Sequence, residues 1–115
     1  MQKKSFRIDR INDLMQQNLA EILRREVSDP QLQKITISGV AVARDLGHAK
    51  IYFVMPDDCS LDEVMKGFAR AKGFLRTNLA KRCDLRIMPD LHFHYDASFK
   101  EGSEIDALIA KALHS

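Results

Sequence analysis

A long amphipathic helix that runs almost directly into an alternating strand is the feature that most constrains the fold of this chain. Residues 61–82 carry apolar side chains at three- and four-residue spacing, which predicts a helix with one buried side. Ser60 and Glu63 stand at the capping-box positions of its first turn. Residues 85–95 then alternate apolar and polar side chains, which predicts a strand with one face in the core.

Two glycines, Gly67 and Gly73, interrupt this helical pattern. Each costs about 1 kcal/mol relative to alanine in a helix interior, so a structural reason for at least one of them is expected. In a straight helix Lys72 would lie within the apolar stripe, and burial of an unpaired ammonium is costly. We therefore expect two helices joined by a kink at Ala71 and Gly73, where small residues also allow a backbone or a phosphate to approach closely. A single helix with a closely packed glycine is the alternative.

Positive charge is concentrated on the same helix. The whole chain has a formal net charge of +2, but residues 64–86 contain seven basic residues and one acidic residue, a net charge of +6. Such a concentration is typical of a surface that meets a polyanion, although a basic helix face is often only solvated. Lys3 and Lys4 precede the first helix as a basic arm that would extend this surface if the two helices lay side by side.

Length and cysteine content limit the class of protein. The 115 residues suffice for one domain, residues 1–115, with a single core. Cys59 and Cys83 lack metal-type spacing, and no signal peptide or membrane-spanning segment is recognisable. We therefore expect reduced thiols and a cytoplasmic protein with no membrane partner.

The sequence pattern of the first half of the chain predicts a helix followed by a β-hairpin. Residues 5–27 keep the helical period, and Asp29-Pro30 ends the helix because a residue before proline avoids helical dihedral angles. Residues 35–45 and 49–55 are predicted to form two strands around a turn that contains Gly47. The small residues of the first strand suggest that helices pack very close to one of its faces, which would hold Ile35, Ile37, Gly39, Ala41 and Ala43.

The sequence pattern near the end of the chain predicts where the last strand starts and a final helix after it. Pro89 cannot donate to a sheet ladder, so it marks an edge, a bulge or the start of the strand. Ser103 is the expected N-cap of a short final helix, after Gly102.

Catalytic and metal chemistry is only weakly indicated. His92, His94 and Asp96 share the polar face of the last strand, as metal ligands can, but no other His or Cys lies near them in the sequence. A polar sheet face is the preferred interpretation, and we predict neither a metal nor a cofactor. The two cysteines lack a His partner motif, and no phosphate-binding glycine loop or Ser/His/Asp arrangement is evident. We therefore predict that the protein is not an enzyme.

The order of elements predicts an α+β fold with a three-stranded sheet covered by helices. The predicted order resembles that of a KH-like domain of the second type: helix, strand, strand, kinked helix pair, strand and short C-terminal helix. KH domains clamp single-stranded nucleic acid with a Gly-x-x-Gly loop, which this chain lacks, since Gly67 and Gly73 are six residues apart.

Several motifs, in the right order, resemble bacterial ribosome-binding factor A, a family in which an Ala-x-Gly kink replaces the KH clamp. Ala71-Lys72-Gly73 fits that kink, and residues 86–96 fit the family's Arg-x-x-Pro-x-Leu-x-Phe-x-x-Asp strand. The resemblance continues in Arg7-x-x-Arg10, Asp29-Pro30, Asp45-Leu46, residues 49–52, Ser98 and Gly102. Gln31 and Ala43 depart from the pattern, where Arg and Ser are common, and the chain lacks the extended tail of some members.

The resemblance implies a non-enzymatic assembly factor. Such proteins bind the free small (30S) ribosomal subunit and assist late maturation of 16S rRNA, including processing of its 5′ end, with a role in cold adaptation. They are released in many bacteria by a GTPase, and we expect a monomer. A protein-interaction module of KH-like fold that does not bind RNA directly is the alternative.

The basic residues around the kink are the expected RNA contacts, and phosphate contacts of this kind confer little base specificity. The predicted contact residues are Arg7, Arg10, Arg70, Lys72, Arg76, Lys81 and Arg82. A second set is expected to maintain the fold rather than to touch RNA, with Asp96 as a cap on the turn toward the last helix. This set comprises Arg86, Pro89, Leu91, Phe93 and Asp96.

Overall fold

Three helices and a three-stranded sheet make up the part of the chain that the structure describes. The computed structural model describes residues 2–97, with side chains described for residues 7–97. The elements are α1 (Gln2–Arg25), α2 (Pro30–Gln33), β1 (Thr36–Val42), β2 (His48–Val54), α3 (Leu61–Cys83) and β3 (Asp90–Tyr95). The strand order is β1-β2-β3, with β1 antiparallel and β3 parallel to β2. This arrangement confirms the predicted α+β class and the three-stranded sheet.

The helices cover one face of the sheet and enclose an apolar core. α1 contributes Met15, Leu19 and Ile22, each fully buried, as its period predicts. β2, the central strand, contributes Ile51 and Phe53. Among the described residues no polar or charged residue is buried, so the core is held by apolar packing. None of the helices described is long and apolar enough to cross a bilayer.

The connection from α1 to β1 contains a short helix that the sequence pattern did not indicate. α1 ends at Arg25, and Asp29 then caps α2: its Oδ1 accepts a hydrogen bond from Gln31 N at 2.9 Å. Pro30 occupies the first helical turn, where its missing N–H costs nothing. Asp29-Pro30 therefore separates two helices, because it starts one shortly after the other has ended.

The expected alternation of β1 is wrong beyond Ile37. The register shifts between Ile37, which pairs with Phe53, and Gly39, which pairs with Tyr52, so Ser38 is an extra residue in a β-bulge. One inserted residue exchanges the two faces, and Val42 is buried while Ala41 is exposed. The small residues of β1 therefore do not form a surface for close helix packing.

α3 is one uninterrupted helix rather than the expected pair. Ser60 caps it, with Oγ accepting from Glu63 N at 3.5 Å, and Asp84 ends it in the left-handed conformation. No hydrogen bond from the Ser60 backbone N–H to the Glu63 carboxylate completes the capping box within the described residues. Lys72 does not require a break, because its half-exposed ammonium lies 3.0 Å from Asp90 Oδ1. An uninterrupted helix therefore leaves no unpaired charge in the core.

β3 begins later than the alternation of residues 85–95 suggested. Its first residue is Asp90, whose N–H donates to Gly47 O at 2.9 Å, and the buried Pro89 directly precedes it. Two of the three alternatives for Pro89 hold, because it stands at the start of a strand that lies at the edge of the sheet. Ile87, expected on the buried face, is 75% exposed, because the segment before Pro89 is not paired into the sheet. The predicted final helix, including Ser103, lies outside the described residues.

Both cysteines are free, partly buried thiols. Burial raises the pKa of Cys83, opposed by the nearby Arg82 charge and by a hydrogen bond that Asn18 donates to its sulfur at 3.9 Å. Because the thiolate is the reactive form, a raised pKa makes Cys83 a poor nucleophile at neutral pH.

Candidate nucleic-acid interface

One side of α3 is turned away from the core along most of its length. The helix buries Val64, Phe68, Leu75 and Leu79, and Phe68 stacks on Phe93 of β3 with ring centroids 4.0 Å apart. Residues three and four apart share a helix face, so the opposite side presents a row that runs to the last turn of the helix. This exposed row consists of Lys66, Arg70, Gly73, Thr77 and Lys81.

The two glycines of α3 have different environments. A Cβ on Gly67 would lie 2.7 Å from Asp29 Oδ2 and 3.3 Å from the side chain of Leu32, so glycine is needed where α2 meets α3. A Cβ on Gly73 would meet nothing within 4 Å. Ala71, the other small residue of the expected kink, packs against the core. Internal packing therefore explains Gly67 and Ala71 but not Gly73, which leaves an open, low-relief stretch of helix surface.

Arg70 and Lys81 lie on the exposed row on either side of Gly73. The side chain of Arg70 is 66% exposed, and its Nη2 lies 3.3 Å from Asp29 Oδ2. Exposed pairs of this kind contribute about 0–1 kcal/mol, so a phosphate can compete for the guanidinium. Lys81 is exposed and forms no ion pair with any residue described. Both cations are available to an anionic partner.

Lys72 and Arg76 face the start of β3 rather than open solvent. Lys72 pairs with Asp90, and its hydrogen bond and positive charge lower the pKa of that carboxyl group. Arg76 Nη2 donates to Met88 O at 3.3 Å, and its Nε is buried without a hydrogen-bond partner in the described residues. These two predicted contact residues connect α3 to the segment around Pro89.

Arg82 forms ion pairs with glutamates on α1 and directly after it. Its guanidinium pairs with Glu26 and lies 3.7 Å from Glu21 Oε2. These carboxylates hold the guanidinium within the fold and offset its charge, so a phosphate would have to compete with them for Arg82. The structure therefore places Arg82 as a connection between the last turn of α3 and α1.

Arg7 and Arg10 lie on the N-terminal half of α1, apart from the exposed row of α3. Both are exposed and form no ion pair within the described residues. α1 approaches the end of α3 at Asn18, which contacts Cys83, and Arg10 is eight residues before it, about 12 Å along the helix. The two arginines form a second basic area rather than part of the row around Gly73.

Phe74 is a feature of this surface that the sequence pattern did not single out as a contact. Its side chain is 45% exposed, next to Gly73 and one turn from Arg70. An exposed aromatic ring beside cations is a suitable platform for an unstacked base. The available signal was its position outside the apolar stripe of the helix.

The residues predicted to maintain the fold lie in or beside the sheet. Pro89 and Leu91 are buried, whereas Arg86 is exposed. Asp96 accepts a hydrogen bond from Ser38 Oγ at 3.0 Å, and its backbone N–H donates to Phe53 O. The carboxylate of Asp96 thus connects the end of β3 to the bulge of β1, and its predicted role beyond residue 97 lies outside the described residues.

The structure does not bring His92, His94 and Asp96 together as a ligand set. Alternate residues of a strand are about 6.6 Å apart, so the three side chains have different neighbours. His94 packs near the ring of Tyr52, with centroids 5.7 Å apart, and Asp96 bonds Ser38. His92 instead lies beside His48 of β2, a residue that the sequence pattern did not connect with it.

Comparison with known proteins gives one consistent family. The family model for ribosome-binding factor A matches residues 7–109. A Pseudomonas fluorescens (strain SBW25) ribosome-binding factor A is 45% identical over 116 residues, spanning 98% of this chain and 88% of the relative. A relative of the same name from Thioalkalivibrio sulfidiphilus is 41% identical over 98% of this chain and 88% of its own length.

Solved structures show the same fold. The crystal structure of ribosome-binding factor A from Thermus thermophilus matches with a TM-score of 0.69 at 23% identity, over 76% of this chain and 94% of that one. A homology model of Thermus thermophilus ribosome binding factor A, fitted into the cryo-EM map of a 30S complex, matches with a TM-score of 0.61 at 24% identity, over 73% of this chain and 89% of that one. Together with the family match and the close relatives, these findings show that the chain belongs to the ribosome-binding factor A family.

Proposed function

We propose that this protein binds the free small ribosomal subunit and that the exposed row of α3 meets the 16S rRNA. The family is one of ribosome-binding factors, not of enzymes. A homology model of the Thermus thermophilus member has been fitted into the cryo-EM map of a 30S complex. The observation that carries the proposal for this chain is the open surface at Gly73, with the cations of Arg70 and Lys81 on the same side of the helix.

The chemistry of the row favours RNA over an apolar protein surface. Its side chains are cationic or small, which suits close approach of a sugar-phosphate backbone. A helix face without a Cβ at Gly73 allows that backbone to come nearer than alanine would permit. Phosphate contacts fix the orientation of the protein, while Phe74 can stack on an unpaired base. Binding of this type recognises RNA shape more than RNA sequence.

The proposed contact set follows from which cations are available. Lys72, Arg76 and Arg82 would contact a phosphate only after releasing the partners that they hold within the fold. Lys66 pairs with Asp62 at 3.1 Å, but both side chains are more than half exposed, so this pair is readily exchanged. We therefore assign the phosphate contacts to Arg7, Arg10, Lys66, Arg70 and Lys81.

The cellular role that we propose is late assembly of the small subunit. The protein would assist maturation of 16S rRNA, including its 5′ end, as a cytoplasmic monomer, and its function would matter most in the cold. A ribosome-associated GTPase would release it from the mature subunit. These parts of the proposal rest on the family resemblance. The proposed binding to RNA rests on the residues of the exposed row.

Sedimentation with separated ribosomal subunits tests the proposal. We expect co-sedimentation with free small subunits and not with large subunits or whole ribosomes. With about five phosphate contacts, the logarithm of the binding constant should fall against the logarithm of salt concentration with a slope of about −3.5 to −4.5. No binding to small subunits at low salt would refute the proposed function.

The protein-interaction alternative gives a different result in the same experiment. A KH-like module that binds a ribosomal protein through apolar contacts would remain bound as the salt concentration rises, because few counterions are released. Its binding would also survive ribonuclease treatment of the subunit. Binding that is insensitive to both would favour this alternative.

A further inference from the structure

We propose that His48, Asp90 and His92 form a binding site for a divalent transition metal such as Zn²⁺. The site lies at the start of β2 and β3, on residues that the RNA-contact proposal does not use. Three potential ligand atoms, one from each residue, lie within 4.8 Å of one another. No part of the site depends on the proposed binding to the small ribosomal subunit.

Two of the three distances between the ligand atoms are close to those of a tetrahedral metal centre, and the third is no longer than 4.8 Å. His48 Nδ1 lies 3.0 Å from His92 Nε2, and Asp90 Oδ2 lies 3.6 Å from the same His92 nitrogen. With metal–ligand bonds of about 2.0–2.1 Å, two ligands of tetrahedral zinc are roughly 3.3 Å apart. Each of these two separations therefore needs to change by only about 0.3 Å, which a small rotation of a side chain provides.

Paired strands hold the three residues in place. β2 and β3 are parallel neighbours in which His48 is opposite Asp90 and Lys50 is opposite His92. The backbone N–H of Asp90 also donates to Gly47 O, next to His48. Ligands on a hydrogen-bonded sheet lose less conformational freedom on metal binding than ligands on a loop, so the site is preorganised.

A contact with α3 orients the carboxylate. Lys72 Nζ binds Asp90 Oδ1 at 3.0 Å, whereas the other oxygen, Oδ2, is the one nearer to His92. Outer partners of this kind commonly fix the rotamer of a ligating carboxylate. Lys72 can therefore keep its ion pair while Asp90 Oδ2 binds the metal.

The ligand set selects the class of metal. Two imidazoles and one carboxylate suit zinc and similar transition metals, while magnesium and calcium prefer oxygen ligands throughout. His48 is exposed, so solvent can supply a fourth ligand. Three protein ligands with a fourth position left to solvent form an open site at the surface rather than a closed structural zinc site.

Calorimetric titration of Zn²⁺ into the full chain, purified without a polyhistidine tag, tests the site. We expect one equivalent to bind the wild-type protein, and His48→Ala and His92→Ala each to weaken that binding at least about 10-fold, since even loss of an outer-shell partner often costs this much. His94→Ala is the matched control, because it removes an exposed imidazole from the same strand but outside the cluster. The control should bind Zn²⁺ like the wild type.

Comparison of the variants distinguishes zinc binding at this site from zinc binding by other Cys and His residues of the chain. All variants share Cys59, Cys83 and His114, so binding through those groups would be equal in each of them. Equal affinities of wild type, His48→Ala and His92→Ala would overturn the proposal, as would a wild-type protein that takes up no Zn²⁺. A selective loss in the two cluster variants, with unchanged circular dichroism, would establish the site.

Discussion

Reversal of the charges of Arg70 and Lys81 is expected to weaken binding to the free small subunit by about 5- to 150-fold. Each Arg70→Glu or Lys81→Glu change replaces an attraction to phosphate by a repulsion, and we assign roughly 1–3 kcal/mol to the pair. The slope of the salt dependence should also become shallower by about 1.4–1.8, because two phosphate contacts are lost. Both side chains are exposed, so the fold should be retained. Sedimentation across a salt series measures the affinity and the slope together.

A double reversal of Arg24 and Arg44 provides the control with the same change in net charge. Both side chains are exposed and unpaired within the described residues, and neither lies on α3. If binding depended only on the overall charge of the protein, the two double variants would lose equal affinity. Such equality would contradict a specific role for the exposed row of α3.

The two glycines of α3 should respond in opposite directions to the same substitution. Gly67→Ala places a methyl group 2.7 Å from Asp29 Oδ2, and Asp29 cannot move freely because it caps α2 and pairs with Arg70. Overpacking costs typically about 1–3 kcal/mol and should outweigh the helix-propensity gain of about 1 kcal/mol. Gly73→Ala meets no neighbouring atom and should raise the free energy of unfolding by about 0.5–1 kcal/mol.

Urea denaturation of the two variants at neutral pH measures this difference. We expect the midpoint to move to lower urea for Gly67→Ala and to higher urea for Gly73→Ala, with little change in the slope m. Each variant is the control for the other, because the chemical change and the helix are the same. Stabilisation by both substitutions would show that a methyl group at position 67 makes no steric clash with Asp29 or α2.

Local rules predicted the elements that local interactions determine. Ser60 defined the start of α3, and the apolar stripe of α1 identified its buried side, because both depend on residues three or four apart. The bulge at Ser38 was not predictable in this way. It is set by the pairing of β1 with β2, and alternation in one strand cannot reveal an inserted residue.

The differences between expectation and structure at the candidate site have the same origin. The expected division of α3 into two helices followed from treating Lys72 as unpaired, whereas its partner, Asp90, comes from a strand 18 residues later. The predicted contact set of seven cations included Arg82, whose glutamate partners are on α1 and just after it, more than 50 residues away. His48 and His92 are 44 residues apart and meet only in the folded sheet. Sequence patterns identified a basic helix, but tertiary pairing decides which of its charges are available.

Photocross-linking from position 74 is the most direct test of the claim that α3 meets rRNA. A photoreactive phenylalanine analogue at Phe74 keeps an aromatic ring beside Gly73, and the same analogue at the exposed Ala41 of β1 is the control. In complexes with free small subunits we expect position 74 to cross-link to 16S rRNA and position 41 to give no such product. Cross-links from position 74 to ribosomal protein alone would contradict the account.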